Sequence, residues 1–264
     1  MSDYKALLYS VENSVAWITM NRAEQRNAVN AEMRDELIGL FTAARTDPEV
    51  RALVLTGSGK GFCTGADLSG PRGQGPTGPG AGRELMKGSS QRLIRALWDL
   101  EKPVVAAVNG VAAGLGSHLA FASDFVIADA AARFIEIFVR RGIAVDAAGA
   151  FLLPRLIGLQ KAKELVYFGD DLSADEAARI GLVSKVVPAD QLMATAREWA
   201  ERLAKGPTFA IGMSKRLLNR SLESSFETAL EEEAMAQMLV TQSEDTREGM
   251  TAFMERRQPN FKGR

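Results

Sequence analysis

The sequence predicts an α/β fold on three observations. Short apolar runs alternate with amphipathic segments through the first two-thirds of the chain, the order of strands feeding helices. From about residue 191 the pattern turns helical throughout. The composition, 46% hydrophobic and 25% charged over 264 residues, is that of a globular chain with room for one large domain or one domain with a small appendage.

Each element has its own signal. Residues 6–11 and 15–20 read as two strands around Glu12-Asn13-Ser14, a hairpin-like break. Residues 27–31 are a polar turn. A helix is expected over 31–45, with Met33, Leu37, Leu40 and Phe41 at helical spacing and Asp47-Pro48 ending it. Residues 51–56 form a strand and 57–61 a glycine-rich turn. One helix is expected over 85–100, then a strand at 104–108, a helix at 115–122 and a strand at 125–128. Four helices follow, at 192–204, 209–222, 226–240 and 244–257. Their Met and Leu stripes, Met213, Leu217, Leu230, Met235 and Met238 among them, suit a core or a subunit contact. The expected division is an α/β core over 1–190 and a helical region over 191–264.

Composition also excludes. Lys and Arg number 32 against 33 Asp and Glu, so a net charge of −1 gives no footprint for tight nucleic-acid binding. One cysteine, Cys63, rules out an intramolecular disulfide framework and a multi-cysteine zinc site; it reads as packing. One histidine, His118, rules out a His-rich metal centre. The weakly polar stretch 104–121 contains Asn109, Gly110, Gly114 and Gly116 and reads as strand, turn and helix rather than a membrane span. The first residues lack the layout of a signal peptide, and a cytoplasmic enzyme is expected. Residues 70–82, dense in Gly and Pro, read as a mobile surface loop. The G-x-G-x-x-G match at Gly73, Gly75 and Gly78 lies there without a strand before it or a helix-compatible sequence after it, so it is no dinucleotide fingerprint.

Two glycine-containing segments carry more specific information. One is Gly61-Phe62-Cys63-Thr64-Gly65-Ala66-Asp67-Leu68. The other runs from Lys102-Pro103 through Asn109-Gly110 to Gly114-Leu115-Gly116. With Asn21-Arg22, Arg26-Asn27-Ala28-Val29-Asn30, Leu153-Pro154-Arg155, Ala177-Ala178-Arg179-Ile180-Gly181-Leu182 and Glu248-Gly249-Met250-Thr251-Ala252-Phe253, in this order along nearly the whole chain, they resemble the crotonase superfamily of enoyl-CoA hydratases and isomerases. The resemblance implies a spiral of β-β-α turns with a C-terminal helical region, assembly as a homotrimer or dimer of trimers, and an acyl-CoA thioester substrate. It implies no metal or redox cofactor, because coenzyme A is part of the substrate.

Carried over residue by residue, the resemblance makes the N–H groups of Ala66 and Leu115 the oxyanion hole of a thioester enolate. Such a donor is typically worth ~3–4 kcal/mol. Leu115 stands where glycine is usual, so its side chain must point away from the thioester. Arg26 and Ala28 match the segment lining the CoA arm, and Ala66, Asp67 and Leu68 the segment beside adenine and pantetheine. Phe253 and Arg256 match C-terminal positions that close on CoA, sometimes from a neighbouring subunit.

The chain departs from the hydratase pattern at both catalytic glutamates, where it has His118 and Phe138. Phenylalanine cannot transfer a proton. Asp146 stands where isomerases of the phenylacetate-pathway type carry their acid, which implies a single shuttle between α- and γ-carbons. Read from its neighbours Ala147-Ala148 alone, Asp146 also suits a helix N-cap. His118 suits either a packed side chain or a catalytic assistant. Glu136, on strand parity with Phe138, suits a surface or trimer-contact charge or a second acid. The expected activity is enoyl-CoA isomerisation, with an altered hydratase and a CoA-ester-binding protein as alternatives.

Overall fold

The computed structural model describes residues 4–69, 78–221 and 223–264. It opens with an antiparallel hairpin, β1 (Leu7–Glu12) and β2 (Val15–Met20), in the register Leu7 to Met20. A turn comes next whose centre is Asn27, fully buried. Its side chain accepts from the Arg22 N–H and donates to the carbonyls of Ser58 and Gly61, which pins the later turn at 57–61 against it. Helix α1 (Ala31–Ala44) starts where the Asn30 side chain accepts from the Met33 N–H at 2.9 Å and buries one stripe, from Met33 to Phe41.

From there the chain winds, giving one strand to each of two sheets per turn. The first turn is β3 (Ala52–Gly57) and β4 (Gly61–Cys63), followed by α2 (Ala81–Gly88) and α3 (Ser90–Trp98). The second is β5 (Val104–Val108), β6 (Val111–Ala113) and α4 (Leu115–Phe121). The third is β7 (Phe125–Asp129) and β8 (Arg133–Ile135), with α5 (Gly149–Phe168), β9 (Asp171–Ser173), α6 (Ala174–Arg179) and β10 (Lys185–Val187) after them. One sheet runs β1-β2-β3-β5-β7-β10, parallel beyond the first hairpin. The other runs β4-β6-β8-β9. Every residue of β3 and β5 is buried, as expected for parallel strands covered on both faces.

The last four helices are α7 (Leu192–Ala204), α8 (Thr208–Ser221), α9 (Phe226–Val240) and α10 (Glu244–Glu255). Helix α7 packs Leu192, Ala196, Ala200 and Ala204 on Val15, Val54 and Ile127 of the large sheet. The helical region therefore begins inside the core. By contrast, α9 and α10 bury almost none of their large side chains; Phe226, Met250, Phe253 and Met254 are each more than half exposed. Among the described residues no helix is long and apolar enough to cross a membrane.

Two expectations need correction. The single helix over 85–100 is two, α2 and α3, broken at Ser89, whose non-helical backbone and side-chain bond to the Leu85 carbonyl end the first. The stretch expected as loop over 70–82 already enters α2 at Ala81, and residues 70–77, with most of the G-x-G-x-x-G match, lie outside the described residues.

Candidate active site

Strands β4 and β6 are parallel neighbours, pairing Gly61 with Val111 and Cys63 with Ala112. The segments leaving their ends therefore run side by side. Gly65 sits at φ +97°, and a Cβ there would stand 2.8 Å from the Ala113 carbonyl oxygen. A Cβ at Gly116 would fall on the Cys63 carbonyl. These two glycines let the Ala66 and Leu115 backbones approach. The neighbours of Ala66 pair with Val29: the Gly65 carbonyl accepts from the Val29 N–H at 2.8 Å, and the Asp67 N–H donates to the Val29 carbonyl at 2.9 Å. That pairing turns the Ala66 N–H away from Val29. Leu115 opens α4, where helical N–H groups have no intrahelical acceptor. Its side chain is buried in the main core, 5% exposed.

Both segments border one cavity of about 420 Å³, which Ala66, Asp67, Leu68, Leu115, Phe138 and Asp146 help to line. A larger groove of about 820 Å³, between α3, the start of α5 and the end of α8, contains neither the paired N–H groups nor Asp146. Sequence reasoning missed Arg34, Ser90, Arg141 and Ile143, which also line the smaller cavity. Arg34 was within reach: it falls four residues after Asn30, on the same helix face. Ser90, whose hydroxyl is buried without a partner among the described residues, carried no such signal.

Asp146 is half-buried, and burial pushes its carboxyl above the ordinary aspartate range; His118 opposes that shift and Glu136 adds to it. It is not a helix cap. Helix α5 begins at Gly149 after Ala147 and Ala148, both in the left-handed region, and no side chain caps it. Asp67 is the other cavity carboxyl. Hydrogen bonds from Ser69, then Arg22 at 2.8 Å, hold it below the ordinary range.

Glu136 is not a surface charge. Strand β8 stops at Ile135, so parity with Phe138 fails; Phe138 lines the cavity while Glu136 turns behind it, 4% exposed. There it meets His118, fully buried, with Nε2 and Oε2 3.0 Å apart. Among the described residues the Nδ1 of His118 has no partner. Cys63 is buried, and burial pushes its thiol up to about 12, leaving it unreactive near neutrality.

The remaining candidates stand off the cavity. Arg26 is exposed, and its carbonyl accepts from the Thr64 N–H and hydroxyl at 3.2 and 3.3 Å. The Ala28 carbonyl accepts from the Arg22 guanidinium that also pairs with Asp67. These contacts brace the rim without reaching the wall. Phe253 and Arg256, at the exposed end of α10, do not line the cavity of their own chain.

The family model for enoyl-CoA hydratase/isomerase matches residues 10–264. The chain belongs to the enoyl-CoA hydratase/isomerase family. This family member is 39% identical over 259 residues, 98% of each chain, to a 1,2-epoxyphenylacetyl-CoA isomerase of Escherichia coli. It is 38% identical, again over 98% of each chain, to a crotonyl-CoA hydratase of Syntrophomonas wolfei. Its fold matches the crystal structure of an enoyl-CoA hydratase/isomerase from Cupriavidus metallidurans with a TM-score of 0.93 and 36% identity, over 100% of this chain and 98% of that one. The spiral α/β fold, and an acyl-CoA enzyme as its bearer, are what the family assigns to the chain.

Proposed function

We propose that the protein isomerises an enoyl-CoA thioester, moving a double bond between the β,γ and α,β positions. The observation that carries this reading is Asp146: a carboxyl of raised proton affinity in the cavity, in a chain with His and Phe at the two hydratase glutamate positions. The Asp146 carboxylate takes a proton from the α-carbon. The electron pair moves into the thioester, and the charge on its oxygen is met by the N–H groups of Ala66 and Leu115. The Asp146 carboxylic acid then returns the proton to the γ-carbon, and the double bond forms between the α- and β-carbons. Asp67, held ionised by Ser69 and Arg22, is too weak a base to compete.

Coenzyme A enters and leaves with the substrate, and the step needs no metal or redox cofactor. The bare apolar faces of α9 and α10 support assembly as a homotrimer or dimer of trimers, in which Phe253 and Arg256 reach a neighbouring chain's CoA. The single buried thiol suits the cytoplasm.

The second reading is hydration, favoured by the likeness to the crotonyl-CoA hydratase. A screen of enoyl-CoA esters resolved by mass separates the two. Isomerisation leaves the mass unchanged and exchanges α- and γ-protons with deuterated solvent, whereas hydration adds one water. Asp146→Asn is expected to bind the ester normally and lose at least ~10²-fold in turnover. Wild-type isomerisation in that variant would reject the assignment.

A further inference from the structure

His118 and Glu136 lie behind the cavity wall, and the proton shuttle does not use them. A buried ionisable pair is costly to desolvate. This one is nonetheless held at Nε2, on one ring face and along one edge. Glu136 Oε2 shares a hydrogen bond with Nε2 at 3.0 Å. Phe138 stacks on the ring at 5.5 Å between centroids and 18° between planes, and the same phenyl ring forms cavity wall. Gly149 presses on the Cε1–Nε2 edge so closely that a Cβ would overlap the imidazole, with a Val145 methyl beside it.

Val145 and Gly149 are the two ends of the turn that carries Asp146. The Gly149 N–H donates to the Asp146 carbonyl at 2.8 Å. Between them, Ala147 and Ala148 hold φ of 45° and 64°. Two consecutive left-handed alanines are strained and persist only where their surroundings hold them.

We propose that His118 and Glu136 are a positioning pair: Glu136 locks the imidazole, the imidazole backs the strained turn, and the turn holds the Asp146 carboxyl in the cavity. This inference rests on Asp146 being the proton shuttle. The charged groups that act on Asp146 are His118 from α4 and Glu136 beyond β8, while Arg34 from α1, Asp67 beyond β4 and Arg141 line the same cavity. Of these, His118 favours the carboxylate and Glu136 the acid.

The test is kcat/KM against pH, on an enoyl-CoA substrate, for wild type, His118→Gln, Glu136→Gln and Asp146→Asn. Loss of the imidazole should move the acid limb up by about 0.5 pH unit or more and lower kcat about tenfold, with KM within about twofold. Glu136→Gln should lower kcat about fivefold or more at similar KM, because the ring loses its carboxyl partner. A packing role would lower Tm alone, so wild-type kcat and acid limb in folded His118→Gln would overturn the proposal. His118 is the sole histidine, so a single imidazole NMR signal serves where a variant does not fold. That signal should follow the titration of Asp146 in wild type and lose the step in Asp146→Asn; absence of the step in wild type would also overturn it. Failure of the shuttle reading shows separately, as an active Asp146→Asn.

Discussion

Asp146 sets activity against stability within one side chain. Burial raises its folded-state pKa above the ordinary value of about 3.9, so between those two pH values the folded chain binds the proton and the unfolded chain does not. Its contribution to stability is full below the ordinary value and fades as pH rises through the raised one. Asp146→Asn should therefore match wild type in Tm near pH 3.5 and exceed it at pH 7, while losing turnover. Thermal melts at the two pH values check this, and an equal or lower Tm at pH 7 contradicts it. Leu115 makes a second residue-scale test. Leu115→Gly keeps the N–H and should stay within about tenfold of wild-type activity, whereas Leu115→Pro removes the donor and should cost ~10²-fold or more. Asp146, Ala66 and Leu115 came from the family resemblance, residue by residue, and the structure brings all three to one cavity. Glu136 was misread because burial is decided by chain far away: its partner lies 18 residues earlier and its cover is Phe138.

Among elements, length governed what was readable. The bounds expected for β2, β5, α7 and α9 match the structure, because five or more residues display a period and clear ends. β4, β6 and β8 have three residues each, too few to show alternation; their neighbours in the sheet hold them. These short strands carry the candidate site, so the fold was more legible than the frame around its chemistry. Helix α10 shows how an element is closed by the chain beyond its end. Arg257 forks onto Glu248 at 2.6 and 2.9 Å, and the Asn260 N–H adds a third bond at 2.7 Å. Together they hold the Glu248 carboxyl down to about 2, against an ordinary 4.5. A depressed carboxyl stabilises above its ordinary pKa and stops doing so as pH falls through the folded value. Amide protection of Asn260 should therefore fall between pH 4.5 and about 2. In Glu248→Gln that pH-dependent step should be missing; an unchanged step would remove Glu248 as its cause.

For the whole molecule, the apolar side chains left bare on α9 and α10 are the feature that bears on the proposed assembly. Sedimentation should give an oligomer. Phe253→Asp, which places a charge on an 82% exposed ring, should weaken assembly and raise KM for the CoA ester with little change in monomer fold. An assembly and KM unaltered by it would detach α10 from both roles. The two sheets have a different consequence. The proposed oxyanion donors come from segments beyond β4 and β6, adjacent strands whose spacing is about 4.8 Å in any sheet. The proposed hole is thus made of main chain and placed by main chain. The side chains at 118, 136, 138 and 146 supply none of its atoms. A lineage that keeps these strands can exchange one proton chemistry for another through a few side chains, each intermediate sequence still able to grip the thioester. Relatives of nearly equal similarity, one named an isomerase and another a hydratase, are what such a history leaves behind.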